Sequence, residues 1–476
     1  MKYVPLDNYI NGSPMASASS PLQVTSPVNG EALSSVPTST PEDLQAAVSA
    51  AQAAFPTWSS LTLRQRCDIF YSYRNLLQDN LDELALICHE ENGKTIGESK
   101  AEVLKAIELT ELACSLPNLV SGESLEVSPG FDCSIQQAPI GVVSCITPFN
   151  FPIMVPHWTI PMALALGNTM VFKPSEQVPL SGNRIAELLT EAGLPNGVFN
   201  IVHGNKSIVE AICDHADIKA LTFVGSTPVA RAVYTRGTSS LKRVLAMGGA
   251  KNHLIVMPDA DVEYTAANVA ASACGCAGQR CMAAATMVAV GAVDHIVEKV
   301  VEQSKALVPG ANLGAVISAS AKSSIEQYIT EAEEQGATVL LDGRNTTVDG
   351  YEAGTYVGPT VLDNVTPQMR IANAEVFGPV LSIIRASDLG EAIELENGSP
   401  YGNAAVVYTQ DGQVAKQFAK QASAGMIGVN VGVPVPREPF GFGGWNDSRF
   451  GVGDITGRGS IQFWTQSKKI TSHWIE

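Results

Sequence analysis

Ala277-Gly278-Gln279-Arg280-Cys281-Met282-Ala283 places a cysteine after a Gly-Gln-Arg turn, downstream of a helical pattern. The thiolate is the reactive form of cysteine, and a neighbouring guanidinium and helix-terminal amides both stabilise it. Cys281 is therefore a candidate nucleophile, although as one of nine cysteines it equally suits a buried structural role. Cys274 and Cys276 complete a C-x-C-x4-C cluster, but no His or Asp stands nearby at ligand spacing, so no metal is expected. Pro148-Phe149-Asn150-Phe151-Pro152 fixes an asparagine between two prolines. Its side-chain amide can donate to a developing oxyanion, or it can cap the following helix.

Three further motifs follow apolar runs. Lys173-Pro174-Ser175-Glu176 offers a cation and a carboxylate to ribose hydroxyls or a phosphate, at the strand end where doubly wound folds bind ligands. Phe223-Val224-Gly225-Ser226-Thr227 combines a glycine with hydroxyls at a helix start, which suits a pyrophosphate. No G-x-G-x-x-G follows a strand, so the usual dinucleotide fingerprint is missing. Glu375-Val376-Phe377-Gly378-Pro379 sets an acid and an aromatic ring two residues apart, on one side of the segment if it is extended. Pro439-Phe440-Gly441-Phe442-Gly443-Gly444 reads as a flexible turn.

The elements that must hold these residues read as two α/β lobes. Apolar strands at 141–147, 169–173, 198–202 and 220–224 alternate with helical patterns near 181–193, 206–214 and 227–236. Strands joined by crossover helices predict a parallel, doubly wound sheet. A second series begins with a strand at 253–257 and helices near 262–277 and 292–307, and continues to about Val431. Ahead of the first series, Thr40-Pro41-Glu42-Asp43 has the form of a helix start, and Leu81, Leu84, Ile87 and Cys88 make one apolar stripe. Ser121 to Gln136 alternates polar and apolar residues, and Ser460 to Ile475 reads as strand.

Composition narrows the function classes. Of 476 residues, 45% are hydrophobic and 16% charged, enough apolar material for sizeable cores. With 30 Lys and Arg against 47 Asp and Glu, the formal charge is −17, which argues against nucleic acid or an anionic membrane as partner. Ser134 to Phe172 lacks Asp, Glu, Lys and Arg, but Pro139, Pro148, Pro152, Pro156 and Pro161 rule out a spanning helix. An odd cysteine count without framework spacing, and no apolar run after Lys2, predict a cytoplasmic protein without a signal peptide.

Taken in order, PFNFP, KPSE, FVGST, GQRC and EVFGP resemble the NAD(P)-dependent aldehyde dehydrogenase superfamily over essentially the whole chain. The resemblance implies an atypical Rossmann cofactor domain that needs no glycine fingerprint, a catalytic domain and a small β oligomerisation arm. It implies boundaries of 1–117 with 137–247, 248–445, and 118–136 with 446–476, and a homodimer or homotetramer. It makes Cys281 the nucleophile and Asn150 the oxyanion donor, and it assigns cofactor contacts to Phe149, Lys173, Glu176, Ser226, Glu375 and Phe377. Glu176 at the ribose favours NAD over NADP.

One departure sets the chemistry. Most family members carry Glu four residues before Lys in E-L-G-G-K, as the base for hydrolysis. Here Met247 precedes Gly248-Gly249-Ala250-Lys251, and a thioether takes no proton from water at neutral pH. The Ala250-Lys251-Asn252-His253 run is similar to the CoA-acylating methylmalonate-semialdehyde dehydrogenase subfamily. That resemblance implies NAD-dependent oxidation of methylmalonate or malonate semialdehyde, decarboxylation, and release by CoA as propanoyl-CoA or acetyl-CoA. Its two substrate-binding arginines map onto Arg280 and onto Lys105, which keeps the charge but loses the bidentate fork. A hydrolytic aldehyde dehydrogenase yielding a free acid is the nearest alternative, and a non-catalytic structural protein the remote one.

Overall fold

In the computed structural model, which describes residues 1–475, the helix Pro41–Ser60 begins at the predicted Thr40. The Thr40 hydroxyl accepts the Asp43 amide, and the Asp43 carboxylate accepts the Thr40 amide, so two otherwise orphaned donors are satisfied. Thr95 and Glu98 repeat this reciprocal cap at the helix Ile96–Cys114. In the helix Leu81–Asn92, Leu84 and Cys88 are fully buried and Ile87 nearly so, with Leu81 packed against the same cluster.

The first sheet has eight strands, in the order Ser13–Met15, Asn8–Ile10, Phe199–Ile201, Thr169–Lys173, Val142–Ile146, Ile218–Val224, Arg243–Met247 and Arg449–Phe450. The five inner strands are parallel and the outer ones antiparallel. Chain order reverses between Val142–Ile146 and Ile218–Val224, so this is a doubly wound sheet with its switch point there. Both strands are apolar and buried on nearly their whole length, as strands covered on two faces must be. Their carboxyl ends feed directly into Pro148–Pro152 and Gly225–Thr227.

The second sheet has seven strands, in the order Thr338–Leu341, Thr360–Asp363, Val380–Ala386, Ala284–Val290, Asn252–Val256, Ala404–Tyr408 and Met426–Val429. All its pairs are parallel except the first. Met247, Met282, Ala404 and Phe442 share one core cluster, so apolar packing runs from the first sheet into the second lobe. A third sheet is antiparallel and joins Thr465–His473, Phe131–Pro139 and Glu123–Ser128. Glu123–Ser128 is exposed along its full length, with Leu125 and Val127 facing solvent. Among the described residues, no helix is long and apolar enough to cross a membrane.

The structure differs from the sequence reading near the C-terminus. Ser460 to Ile475 reads as strand, yet Gly459–Trp464 is a helix and only Thr465–His473 is extended. Ile461 and Trp464, three residues apart, point to the same interior, which six residues of strand could not achieve. Trp464 is fully buried against Phe463, and its carbonyl accepts the Asn168 amide at 3.0 Å. Trp464→Ala is expected to cost about 3–5 kcal/mol of stability; an unchanged denaturant midpoint would show that this anchor carries no weight.

Candidate active site

Cys281 lies beyond the C-terminus of the helix Val262–Cys274, which ends three residues earlier than its sequence pattern suggests. Gly275–Gly278 forms a tight turn in which Cys276 and Ala277 hold φ values of 52° and 53°, a left-handed conformation that side chains resist. Gly278 has φ 70°, and a Cβ there would sit 2.0 Å from the Gly378 carbonyl oxygen, so only glycine fits. The Cys276 amide donates to Glu98 Oε1 at 2.6 Å. The Cys281 carbonyl accepts two amide bonds, from Asn252 Nδ2 and Asn403 Nδ2, each at 2.8 Å. The Cys281 backbone is thus clamped from the strand Asn252–Val256 and from Asn403, just ahead of the strand Ala404–Tyr408.

The thiol itself is not held as a thiolate. Burial pushes it up to about 12, with the Glu375 carboxylate adding to the rise. The amides of Cys281 and Met282 and the Arg280 guanidinium pull the other way without prevailing. Arg280 and these amides thus favour the thiolate, while burial and Glu375 oppose it more strongly. The helix presents its C-terminus, not its N-terminus, and the Arg280 guanidinium lies 3.7 Å from Glu98 and bonds the Cys276 thiol.

Asn150 does not cap a helix. It is 6% exposed, and Nδ2 donates to the Gln279 carbonyl at 3.0 Å, two residues before the nucleophile. The structure therefore brings Asn150 to within two chain positions of Cys281, although Asn150 does not line the cavity that opens onto the thiol.

A cavity of about 630 Å³ opens onto Cys281 and contains both predicted cations, Lys105 and Arg280. Its walls mix Phe151, Trp158 and Phe442 with charged groups. Lys105 Nζ lies 3.0 Å from Glu108 and 2.5 Å from Glu438, so its charge is already compensated. Arg437 also lines this cavity and, among the described residues, has no carboxylate within ion-pair distance. The sequence offered no sign of Arg437 or Glu438, because 333 positions separate Lys105 from Glu438.

On the other side lies a groove of about 920 Å³ at the switch point, lined by Phe149, Lys173, Glu176, Phe223 and Gly225. Lys173 is 4% exposed and pairs with Glu176 at 3.0 Å; burial lowers it from its ordinary value. Gly225 is needed here, since a Cβ would come within 2.6 Å of the Phe223 ring. Ser226, exposed and outside the groove's lining, starts the helix Thr227–Ser239 with its side chain unused as a cap. Phe149 and Phe377 meet edge to face at 5.9 Å. Phe377 has φ 58°, so the segment turns there and Glu375 and Phe377 do not share a face of an extended strand.

Met247 is buried in the core at the end of the strand Arg243–Met247, where it accepts the Gly225 amide through its carbonyl at 3.1 Å. Glu375 lies over the following glycines: Oε1 accepts the Ala250 amide at 3.0 Å, and a Cβ on Gly249 would meet Oε2 at 2.3 Å. Burial pushes Glu375 up to about 7, and it brings Lys251, which shares its small cavity with Cys281, down to about 8.

Comparison with known proteins places these features. The sequence profile described as the aldehyde dehydrogenase family matches residues 15–470. Malonate-semialdehyde dehydrogenase 1 of Geobacillus kaustophilus is 45% identical over 477 residues, covering 98% of each chain. Malonate-semialdehyde dehydrogenase of Halalkalibacterium halodurans is also 45% identical, over 480 residues and 98% of each chain. A Sinorhizobium meliloti protein assigned as a methylmalonate-semialdehyde dehydrogenase, complexed with NAD, superposes with a TM-score of 0.98 at 41% identity, covering 100% of this chain and 99% of that one. Methylmalonate-semialdehyde dehydrogenase of Oceanimonas doudoroffii gives a TM-score of 0.98 at 39% identity with the same coverage.

With its thiol near 12, Cys281 should be alkylated slowly by iodoacetamide at neutral pH in the free enzyme. The rate should climb about tenfold per pH unit as the thiolate fraction grows. A rate that levels off near neutrality would mean that the buried thiol is ionised after all.

Proposed function

Because the chain belongs to the aldehyde dehydrogenase family, we propose that it oxidises a small carboxylated semialdehyde, malonate or methylmalonate semialdehyde, with NAD, and passes the acyl group to CoA. The observation that carries the CoA step is Met247. It fills with a buried thioether the place where most of the family, on the resemblance drawn above, has a carboxylate base. The names of the relatives support the substrate class.

The groove at the switch point would take NAD: Lys173 and Glu176 in its wall would hold the ribose, and Ser226, Glu375 and Phe377, outside that lining, would hold the phosphates and, with Phe149, the nicotinamide end. When bound, NAD supplies the acceptor for the hydride. Cys281 gives up its proton to solvent, and its sulfur attacks the aldehyde carbon, the carbonyl electrons moving onto oxygen. Asn150 Nδ2 and the Cys281 amide stabilise that oxyanion. The carbon–oxygen double bond then reforms as the aldehyde hydrogen leaves as hydride, giving a thioester on Cys281. From this thioester the β-carboxylate departs as CO2, its bonding electrons entering the thioester enolate, which takes up a proton. The CoA thiolate attacks the thioester carbonyl and Cys281 leaves as the thiolate, so acetyl-CoA or propanoyl-CoA is released.

Arg280 and Lys105 would anchor the substrate carboxylate, in competition with Glu98 and Glu438. All nine cysteines are free, consistent with a reducing cytoplasm, and the exposed strand Glu123–Ser128 would pair or pack in a homodimer or homotetramer. One observation favours hydrolysis instead: Glu375, near 7 and close enough to Cys281 to raise its thiol, could take a proton from water.

The deciding measurement is NADH formation from malonate semialdehyde, methylmalonate semialdehyde and propanal, with and without CoA. Strong CoA dependence and an acyl-CoA product are expected; steady turnover to free acid without CoA would transfer the assignment to the hydrolytic reading. Glu438→Gln should leave Lys105 paired with Glu108 alone and lower KM for the carboxylated aldehydes by up to about fivefold, the worth of about 1 kcal/mol in a partly exposed ion pair. An equal change with propanal would remove Lys105 from substrate recognition.

A further inference from the structure

Cys281 and Asn150 both sit on irregular segments, whose amides and carbonyls no ladder fixes. Something else must hold the Asn150 segment still. Glu102 on the helix Ile96–Cys114 is fully buried, and so, at 2% side-chain exposure, is its partner Lys94. Glu102 Oε1 accepts the Ile153 amide at 2.8 Å and the Met154 amide at 3.0 Å, while Oε2 pairs with Lys94 Nζ. Lys94 Nζ also donates to the Asn150 carbonyl and stands 3.7 Å from the centre of the Phe151 ring. Asn92 Nδ2 donates to the Phe149 carbonyl at 2.7 Å. Residues 149, 150, 151, 153 and 154 are thus each gripped by Asn92, Lys94 or Glu102.

The same short stretch reaches the nucleophile's turn. The Gly93 carbonyl accepts the Ala315 amide at 2.9 Å, and two residues on the Ile317 amide donates to Gln279 Oε1 at 3.0 Å. Glu98, one helical turn before Glu102, accepts the Cys276 amide. Burial works against the Lys94 ammonium, but the Glu102 charge and hydrogen bond, together with Cys276 and Cys88, outweigh it and leave Lys94 above its ordinary value.

A buried ion pair seldom adds net stability over apolar residues of the same volume, so its presence here calls for another use. We propose that Lys94 and Glu102 are positioning residues that aim the Asn150 amide at the oxyanion formed on Cys281's substrate. This inference rests on the oxyanion role given to Asn150 above. Charge-assisted bonds are short and directional, which suits them to fixing a loop to within a fraction of an ångström.

The test uses Lys94→Met, which keeps chain length but removes the donor to the Asn150 carbonyl, with Glu102→Gln as the milder partner should the first not fold. In folded variants kcat for aldehyde oxidation should fall about 100-fold, the effect of displacing a reacting geometry by about 1 Å, while KM for NAD stays near the parental value. Iodoacetamide alkylation of Cys281, which forms no oxyanion, should keep its parental rate, and Lys94→Arg should recover most of the activity. In an Asn150→Ala background, Lys94→Met should cost little more, since the two changes remove one function. A folded variant with kcat within twofold of the parent overturns the proposal, as does alkylation slowing in step with turnover. An additive loss on top of Asn150→Ala would instead show that Asn150 is not the route, and propanal serves as substrate if neither semialdehyde is turned over.

Discussion

The Asn150 side chain donates to the Gln279 carbonyl, and through that one amide a loop of the first sheet meets a turn of the second. The two sheets share no strand, so nothing in their ladders sets the distance between these segments. The surrounding contacts make sense as answers to this constraint. Asn252 and Asn403 hold the Cys281 carbonyl from the second sheet, and Asn92, Lys94 and Glu102 hold the Asn150 segment from a helix of the first lobe. Gly278 lets the turn press directly on the Gly378 backbone, which keeps the nucleophile from shifting sideways.

The electrostatics are local. The chain as a whole carries −17, yet the cavity beside Cys281 is close to balanced, with Lys105, Arg280 and Arg437 set against Glu98, Glu102, Glu108 and Glu438. A carboxylate binding at Lys105 would displace a protein carboxylate, whereas Arg437, among the described residues, offers a cation without one. That arrangement selects by exchange, and its cost is low only where the ion pairs are partly wet, as Lys105 with Glu438 is. The Lys94–Glu102 pair, by contrast, is buried on both sides.

Much of the fold was legible because burial on two faces writes apolar runs into the sequence. The strands Thr169–Lys173 and Asn252–Val256 fall within a residue of their predicted bounds, and the helix Lys206–Asp214 matches its own. The motifs that the site needs were also legible, since Asn150, Cys281, Lys173 and Glu176 follow strands or turns that the sequence marks with proline and glycine. Gly459–Trp464 was not, because a six-residue helix rich in buried aromatics has the same local composition as a strand. Lys94 and Glu102 were hidden for a different reason. Charged residues at the start of a helix ordinarily face solvent, and their burial depends on the Phe149–Met154 segment, which reaches them from about fifty positions away. The rise of the Cys281 thiol was not legible, because it comes from burial and from Glu375, which lies 94 positions away.

The clasp on the Cys281 carbonyl is made by Asn403, which follows it by 122 positions. A chain emerging from a ribosome has therefore presented its reactive thiol well before the residue that shapes it exists. Contacts of such span also form late when an unfolded chain folds, because loop closure must be completed before they contribute anything. Cys281 consequently passes through synthesis as an ordinary solvated cysteine, and its burial begins only when the second lobe closes around it.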